Sequence, residues 1–162
     1  MPITIKSERE IELMTEAGRI LGIVHKELEK ALKPGMSTLD IDALGEEVIR
    51  NYGCEPSFLN YNGYPASICV SVNDEIVHGI PSAKHLIKEG DIVSLDAGVI
   101  YKGYHSDAAR THAVGEIRPD LQKLIDVTRE SFFEGIKFAK AGNHLFDISG
   151  AIGRYAEERG YG

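Results

Sequence analysis

Basic residues are in deficit. Eighteen Lys and Arg stand against 25 Asp and Glu, a net charge of −7 over 162 residues. Broad nucleic-acid binding needs a basic surface to neutralise phosphates, so no direct nucleic-acid specificity is expected. Cysteine is scarce: Cys54 and Cys69 make neither a disulfide framework nor a CxxC pair. Reduced thiols in a cytoplasmic protein are the simplest reading. No apolar run approaches the roughly 18 residues of a membrane span, and no membrane partner is expected. The first eight residues lack a basic segment followed by an apolar one, so no signal peptide is expected. Disorder is excluded by composition, since 43% hydrophobic and 27% charged residues are ordinary globular values. The length is that of one domain, enough to bury roughly 70% of the unfolded chain's surface.

The chain reads as helices, then strands, then helices. Ser7-x-x-Glu10 is a capping box. It precedes Ile11, Met14, Ala17, Leu21, Val24, Leu28 and Leu32 at helical spacing, stopped by Pro34-Gly35. Ser37 or Thr38 caps a second helix with Leu39, Leu44, Val48 and Ile49 as its apolar side, ended by Gly53. The period then changes. Ser67 to Val72 alternates as a half-buried strand does, Asn73-Asp74 is a turn, and Glu75 to His78 resumes a strand. Asp91 to Tyr101 and Tyr104 to Val114 form a hairpin about Lys102-Gly103. Leu121, Leu124, Ile125, Thr128, Phe132, Ile136 and Ala139 are helical again, and a last helix runs from about Phe146 to Arg159.

A shift of 107 residues superposes Lys33 on Lys140, Gly35 on Gly142, Asp40-Ile41 on Asp147-Ile148 and Gly53 on Gly160. Element order matches across the shift. Two readings stay open: an internal repeat, or two helix–Gly–helix units that merely look alike.

The hairpin carries the chemistry. A Lys102-Gly103 turn pairs Tyr101 with Tyr104, Val99 with Ser106 and Gly98 with Asp107. Side chains alternate between faces. One face holds Ser94, Asp96, Gly98 and Ile100 with His105, Asp107 and Ala109. The other holds Val93, Leu95, Ala97 and Val99 with Ala108, and is a core face. Asp96 and Asp107 are diagonal neighbours, roughly 7–8 Å or a little less between Cβ atoms. Gly98 is expected to leave open space beside them. Two carboxylates this close repel, and a divalent cation between them removes that cost. The other reading of the spacing is a solvated polar face with two ordinary Asp, and two Asp are too few ligands for a tight transition-metal site.

His105 shares that face, as a ligand or as a hydrogen-bonding neighbour. His78 stands at a strand end before Gly79-Ile80-Pro81, where catalytic side chains are commonly displayed and where surface turn histidines also occur. Asn60-Tyr61-Asn62-Gly63-Tyr64-Pro65 is an aromatic loop. Its two rings either wall a small apolar pocket, with Cys69 lining it, or pack with no ligand. His25 reads as structural, and His85, His112 and His144 belong to no constellation.

Residues 60–65, then Ser67-Ile68-Cys69-Val70-Ser71-Val72-Asn73, then His78-Gly79-Ile80-Pro81, closely resemble type I methionine aminopeptidase. So do Gly90-Asp91-Ile92-Val93-Ser94-Leu95-Asp96, Asp107 eleven residues later, Arg110-Thr111 and Val114-Gly115. The resemblance runs nearly the whole chain from about Ile3. It implies an α+β pita-bread fold: two pseudo-symmetric halves of helices and antiparallel strands around a dinuclear metal site. Residues 1–162 would be a single catalytic-domain fragment, with about 1–115 a first half and about 116–162 the helical start of a second.

By that resemblance Asp96 and Asp107 are metal ligands, Asp107 bridging. His78 hydrogen-bonds substrate near the scissile peptide. Tyr61, Tyr64 and Cys69, with Phe58, wall the methionine pocket. The cofactor would be two divalent ions: cobalt, manganese, iron or zinc. The reaction would remove the N-terminal methionine of peptides or nascent chains with a small second residue. The chain's own Met1-Pro2 would qualify as such a substrate. A monomer when full length, close to the ribosome, is the implied setting. The family's remaining ligands, one His and two Glu, cannot be placed in these residues, so the isolated chain is expected to be inactive or weakly active. Two alternatives are an Xaa-Pro-type pita-bread peptidase, opposed by the aromatic loop and His78-Gly79-Ile80-Pro81, and a non-catalytic pita-bread binding module, opposed by retention of both Asp.

Overall fold

A computed structural model describes residues 3–162. Met1 and Pro2, expected to form a substrate-like N-terminus, lie outside the described residues. Two compact units divide after Ile117; the second is Arg118–Gly162.

In the first unit, helix α1 (Glu8–Ala31) starts at the expected capping box. Glu10 accepts the Ser7 amide at 2.7 Å, and the Ser7 hydroxyl accepts the Glu10 amide at 3.4 Å. The expected apolar stripe is buried only from Ala17 onward. Ile11 and Met14 stay 53% and 41% exposed, while Ile20 and His25 join the buried set. Helix α2 (Thr38–Asn51) is capped by Ser37 rather than Thr38. Its buried face is Thr38, Ile41, Asp42, Gly45 and Ile49; Leu39, expected inside, is exposed. Gly45 decides this orientation, because a Cβ there would stand 3.1 Å from the Ile68 side chain.

Four antiparallel strands follow: β1 (Glu55–Pro56), β2 (Ile68–Val72), β3 (Ile92–Tyr101) and β4 (Tyr104–Ala113). β1 and β2 pair with β3, and so does β4 along its whole length. The hairpin register is the expected one, with Tyr101 opposite Tyr104 and Gly98 opposite Asp107. Lys102 and Gly103 both take positive φ, 49° and 86°, as a tight hairpin turn matched to strand twist requires. Leu21, Val24, Leu28, Ile41 and Ile49 pack on Ile68, Val70, Val93, Leu95, Ala97 and Val99 to form the core.

Three expectations are corrected. β2 is buried along its whole length rather than half-buried, because Tyr64 and Gly79 are hydrogen-bonded over its outer side. Glu75 to His78 is not a strand: Asn73 and His78 adopt φ of 55° and 58°, which interrupts extension. β1 and a 3₁₀ turn at Tyr61–Gly63 were not anticipated, being too short to show a period.

The second unit is a helix pair, α3 (Pro119–Ile136) and α4 (Leu145–Glu157). α3 ends three residues before Ala139, and Phe132 and Ile136, expected on its apolar side, are 54% and 47% exposed. Gly135 lets α3 lie directly against Ile152 and Ile148 of α4. The residues matched by the 107-residue shift play matching parts. Asp40 and Asp147 each accept the amide of their helix cap, Ser37 and His144. Gly35 and Gly142 have φ of 90° and 93°.

Candidate functional site

The face of β3 opposite the core carries the candidate residues. Period-2 alternation puts Ser94, Asp96 and Gly98 there, and register adds Cys69 from β2, directly opposite Asp96. β4 adds Asp107, opposite Gly98 and diagonal to Asp96. One row along, the Ser94 and Thr111 hydroxyls are hydrogen-bonded at 2.8 Å.

The two carboxyls are close enough to perturb one another. Burial, then the Asp107 charge and a hydrogen bond to Asp107, push the Asp96 carboxyl from the ordinary 3.8 up to about 6, opposed by the nearby His78. All three disfavour a second negative charge. Burial first, and the charges of Asp96 and Asp107 after it, push the Cys69 thiol up as well, so it stays a neutral, soft wall.

Helix α2 holds this face in place from below. One Asp42 oxygen accepts the amides of Ser67 and Ile68, each at 2.9 Å, and Glu46 accepts the Ser67 hydroxyl at 2.8 Å. That clamp fixes where β2 starts and therefore which side Cys69 faces. Tyr64 covers the other side. Its hydroxyl lies 3.1 Å from the Ile68 carbonyl and 3.2 Å from that of Gly79. The phenol donates to backbone, and burial pushes it well up.

His78 is exposed and sits in the left-handed region at φ 58°. Gly79 explains how it is held. Its amide donates to the Ser71 hydroxyl at 3.0 Å and its carbonyl accepts the Val70 amide at 3.0 Å. A Cβ at 79 would run into the Val70 carbonyl.

Phe58 is half-buried and stands over Gly98. A Cβ at Gly98 would lie 2.9 Å from the Phe58 ring and 2.8 Å from Ser57 Cβ. The expectation of open space beside Asp107 is thus corrected: the space is taken by the loop before the aromatic turn. His105 is hydrogen-bonded through Nδ1 to the Ser57 hydroxyl at 3.2 Å. Tyr61 is 69% exposed, and its recorded ties are backbone ones, to Phe58 and Tyr64. The structure therefore brings Asp96, Asp107, Cys69, Tyr64, Phe58 and His78 to one face and leaves the Tyr61 ring at the surface. Ser57 and Asp42 escaped sequence reasoning, because their parts depend on partners 25 to 48 positions away. His25, read as structural, is buried, with its Nε2 2.9 Å from the Ala108 carbonyl.

The donors fit a divalent cation as part of a larger set. Both are carboxylates, suited to hard divalent ions. Among the described residues no group of three or more His, Cys, Asp or Glu converges as a metal site.

Metallopeptidase family M24 matches residues 12–162. The chain belongs to that family. It is 53% identical over 160 residues to methionine aminopeptidase of Clostridium acetobutylicum, covering 99% of this chain and 64% of that protein. It is 49% identical over 155 residues to methionine aminopeptidase 1 of Bacillus subtilis, covering 96% of this chain and 62% of that protein. The crystal structure of methionine aminopeptidase from Thermotoga maritima superposes with a TM-score of 0.95 at 40% identity, over 98% of this chain and 64% of that one. The M24 chain therefore spans about 64% of the length of the relatives it matches, within the pita-bread fold they share. No described helix is long and apolar enough to cross a membrane.

Proposed function

We propose that the protein to which these residues belong is a metal-dependent methionine aminopeptidase. It removes the N-terminal methionine from peptides and nascent chains with a small second residue, in the cytoplasm and near the ribosome. The observation that carries this reading is the Asp96–Asp107 pair on one face of the β3–β4 hairpin within an M24 chain.

Asp96 and Asp107 would hold divalent ions, two in number, of the cobalt, manganese, iron or zinc class. When bound, such ions supply Lewis acidity toward a water and the scissile carbonyl. The remaining steps rest on this chain's own side chains. His78, fixed by the Gly79 clamp, donates or accepts a hydrogen bond at the peptide being cut. Cys69, Phe58 and the Tyr64 ring form an apolar wall for the methionine side chain, and Tyr61 closes it from the surface. Burying that side chain contributes roughly 1.5–3 kcal/mol, enough to favour it over a short one. The Xaa-Pro alternative has no comparable support, since the relatives above carry the methionine aminopeptidase name.

The test is hydrolysis of a Met-Ala-Ser peptide by the full-length protein, stripped with chelator and reloaded with cobalt or manganese. Turnover that returns with metal and is lost in Asp107→Asn supports the reading. Metal-independent turnover, or preference for an Xaa-Pro peptide, refutes it.

A further inference from the structure

We infer that Gly98 is a specificity-determining position, setting how far the apolar wall stands from the carboxyl pair. The inference rests on the proposed function. Gly98 shares a face with Asp96 and lies directly opposite Asp107. Its carbonyl accepts the Ser57 amide at 3.0 Å, so the loop before the aromatic turn is hydrogen-bonded to β3 at the site itself. On the other flank the Ser57 hydroxyl meets His105 at 3.2 Å. Ser57 is therefore held from β3 and from β4 at once.

With its position fixed at two points, Ser57 and the adjoining Phe58 can lie this low only if residue 98 has no side chain. The first carbon added there would be 2.8 Å from Ser57 Cβ and 2.9 Å from the Phe58 ring. Those separations are inside van der Waals contact. Ser57 Cβ cannot swing aside without breaking the hydrogen bond from its amide to the Gly98 carbonyl, so an added methyl lifts the segment and the ring with it. The φ of Gly98 is not positive. Its glycine is explained by this close approach and not by backbone conformation. The ring stands over Gly98, which lies two residues from Asp96 on the same strand and directly opposite Asp107, so its height would select the length of side chain accommodated beside the carboxyls.

The experiment compares Met-Ala-Ser with Leu-Ala-Ser and norvaline-Ala-Ser in the metal-loaded full-length protein. Gly98→Ala is expected to change the kcat/KM ratio of methionine to the shorter side chains by about tenfold, the scale of one methylene in an apolar pocket. The change is expected mainly in KM. Gly98→Ala/Phe58→Leu is expected to match Phe58→Leu alone to within about threefold, because the ring whose height residue 98 sets is gone. Hydrogen exchange at the Ser57 amide reports the clamp without turnover, and is expected to speed up in Gly98→Ala.

An unchanged ratio in Gly98→Ala, with wild-type turnover normal, overturns this inference and leaves the proposed function standing. Absence of methionine-peptide turnover in the wild type overturns the proposed function, and this inference with it. Should Gly98→Ala not fold, Phe58→Leu alone decides: preference must shift toward side chains bulkier than methionine, and an unshifted preference overturns the inference.

Discussion

Replacing either carboxyl of the pair by its amide is expected to stabilise the metal-free chain at neutral pH. Asp96 keeps its proton up to about pH 6 in the folded chain, against an ordinary 3.8. Between those values the folded state carries more protons than the unfolded one, so stability falls as pH rises from about 4 to about 6. Two pH units correspond to about 3 kcal/mol. Asp96 is only half-buried, and solvent screening reduces this to ~1–2 kcal/mol. Asp96→Asn removes the whole cost. Asp107→Asn removes only its charge and hydrogen bond and leaves burial, the largest single cause, and so recovers less, ~0.5–1 kcal/mol. The expected order of stability at pH 7.5 with chelator is Asp96→Asn, then Asp107→Asn, then wild type, converging near pH 4. Urea unfolding followed by circular dichroism measures it. A divalent ion at about one hundred times its dissociation constant stabilises the wild type by about 2.7 kcal/mol and reverses the order. A stability difference between Asp96→Asn and wild type that ignores pH would refute the reasoning.

Three other outcomes are expected. Gly79→Ala drives a methyl into the Val70 carbonyl and should cost about 1–3 kcal/mol; a variant as stable as wild type in thermal melts contradicts the clamp. Burial pushes the His25 imidazole below its ordinary 6.5, with Arg110 and His112 acting in the same direction and the Ala108 carbonyl and Asp107 against it. Its folded state binds fewer protons than the unfolded one, so the stability from neutral His25 is present above pH 6.5 and lost as pH falls below it. His25→Phe in the Asp96→Asn background should flatten that acid-side slope in urea midpoints, and an unaltered slope would count against it. Finally, the 162 residues alone, with cobalt or manganese added, should show no robust Met-Ala-Ser turnover; efficient hydrolysis would mean that the two carboxylates suffice.

The hairpin was legible because its information is local. Lys102-Gly103 sets the register, and the register alone places Asp107 diagonal to Asp96. The capping boxes at Ser7 and Ser37 read equally well, their partners lying three residues away. What escaped depends on distant partners. Leu39 has the right period for burial, but Gly45 seats α2 on Ile68 by a different stripe. Gly98 looked like empty space because nothing local shows that Ser57 and Phe58 return over it. Glu75 to His78 has strand-like composition, yet the Gly79 clamp on β2 bends it into an exposed display for His78. The chemical assignment of the site came from resemblance across many short motifs. The carboxyl spacing by itself was also compatible with a polar surface.

The bond between His25 and Ala108 joins residues 83 positions apart, and that between Glu10 and Tyr104 joins residues 94 apart. Helix α1 therefore emerges from synthesis long before the strand that shields it. At about 5–20 residues per second, the His25 turn waits roughly 4–17 s for its partner to be made. Through that interval the buried faces of Leu21, Val24 and Leu28 lack their sheet-side cover, and the nascent helix is a target for any holdase that recognises an amphipathic stripe.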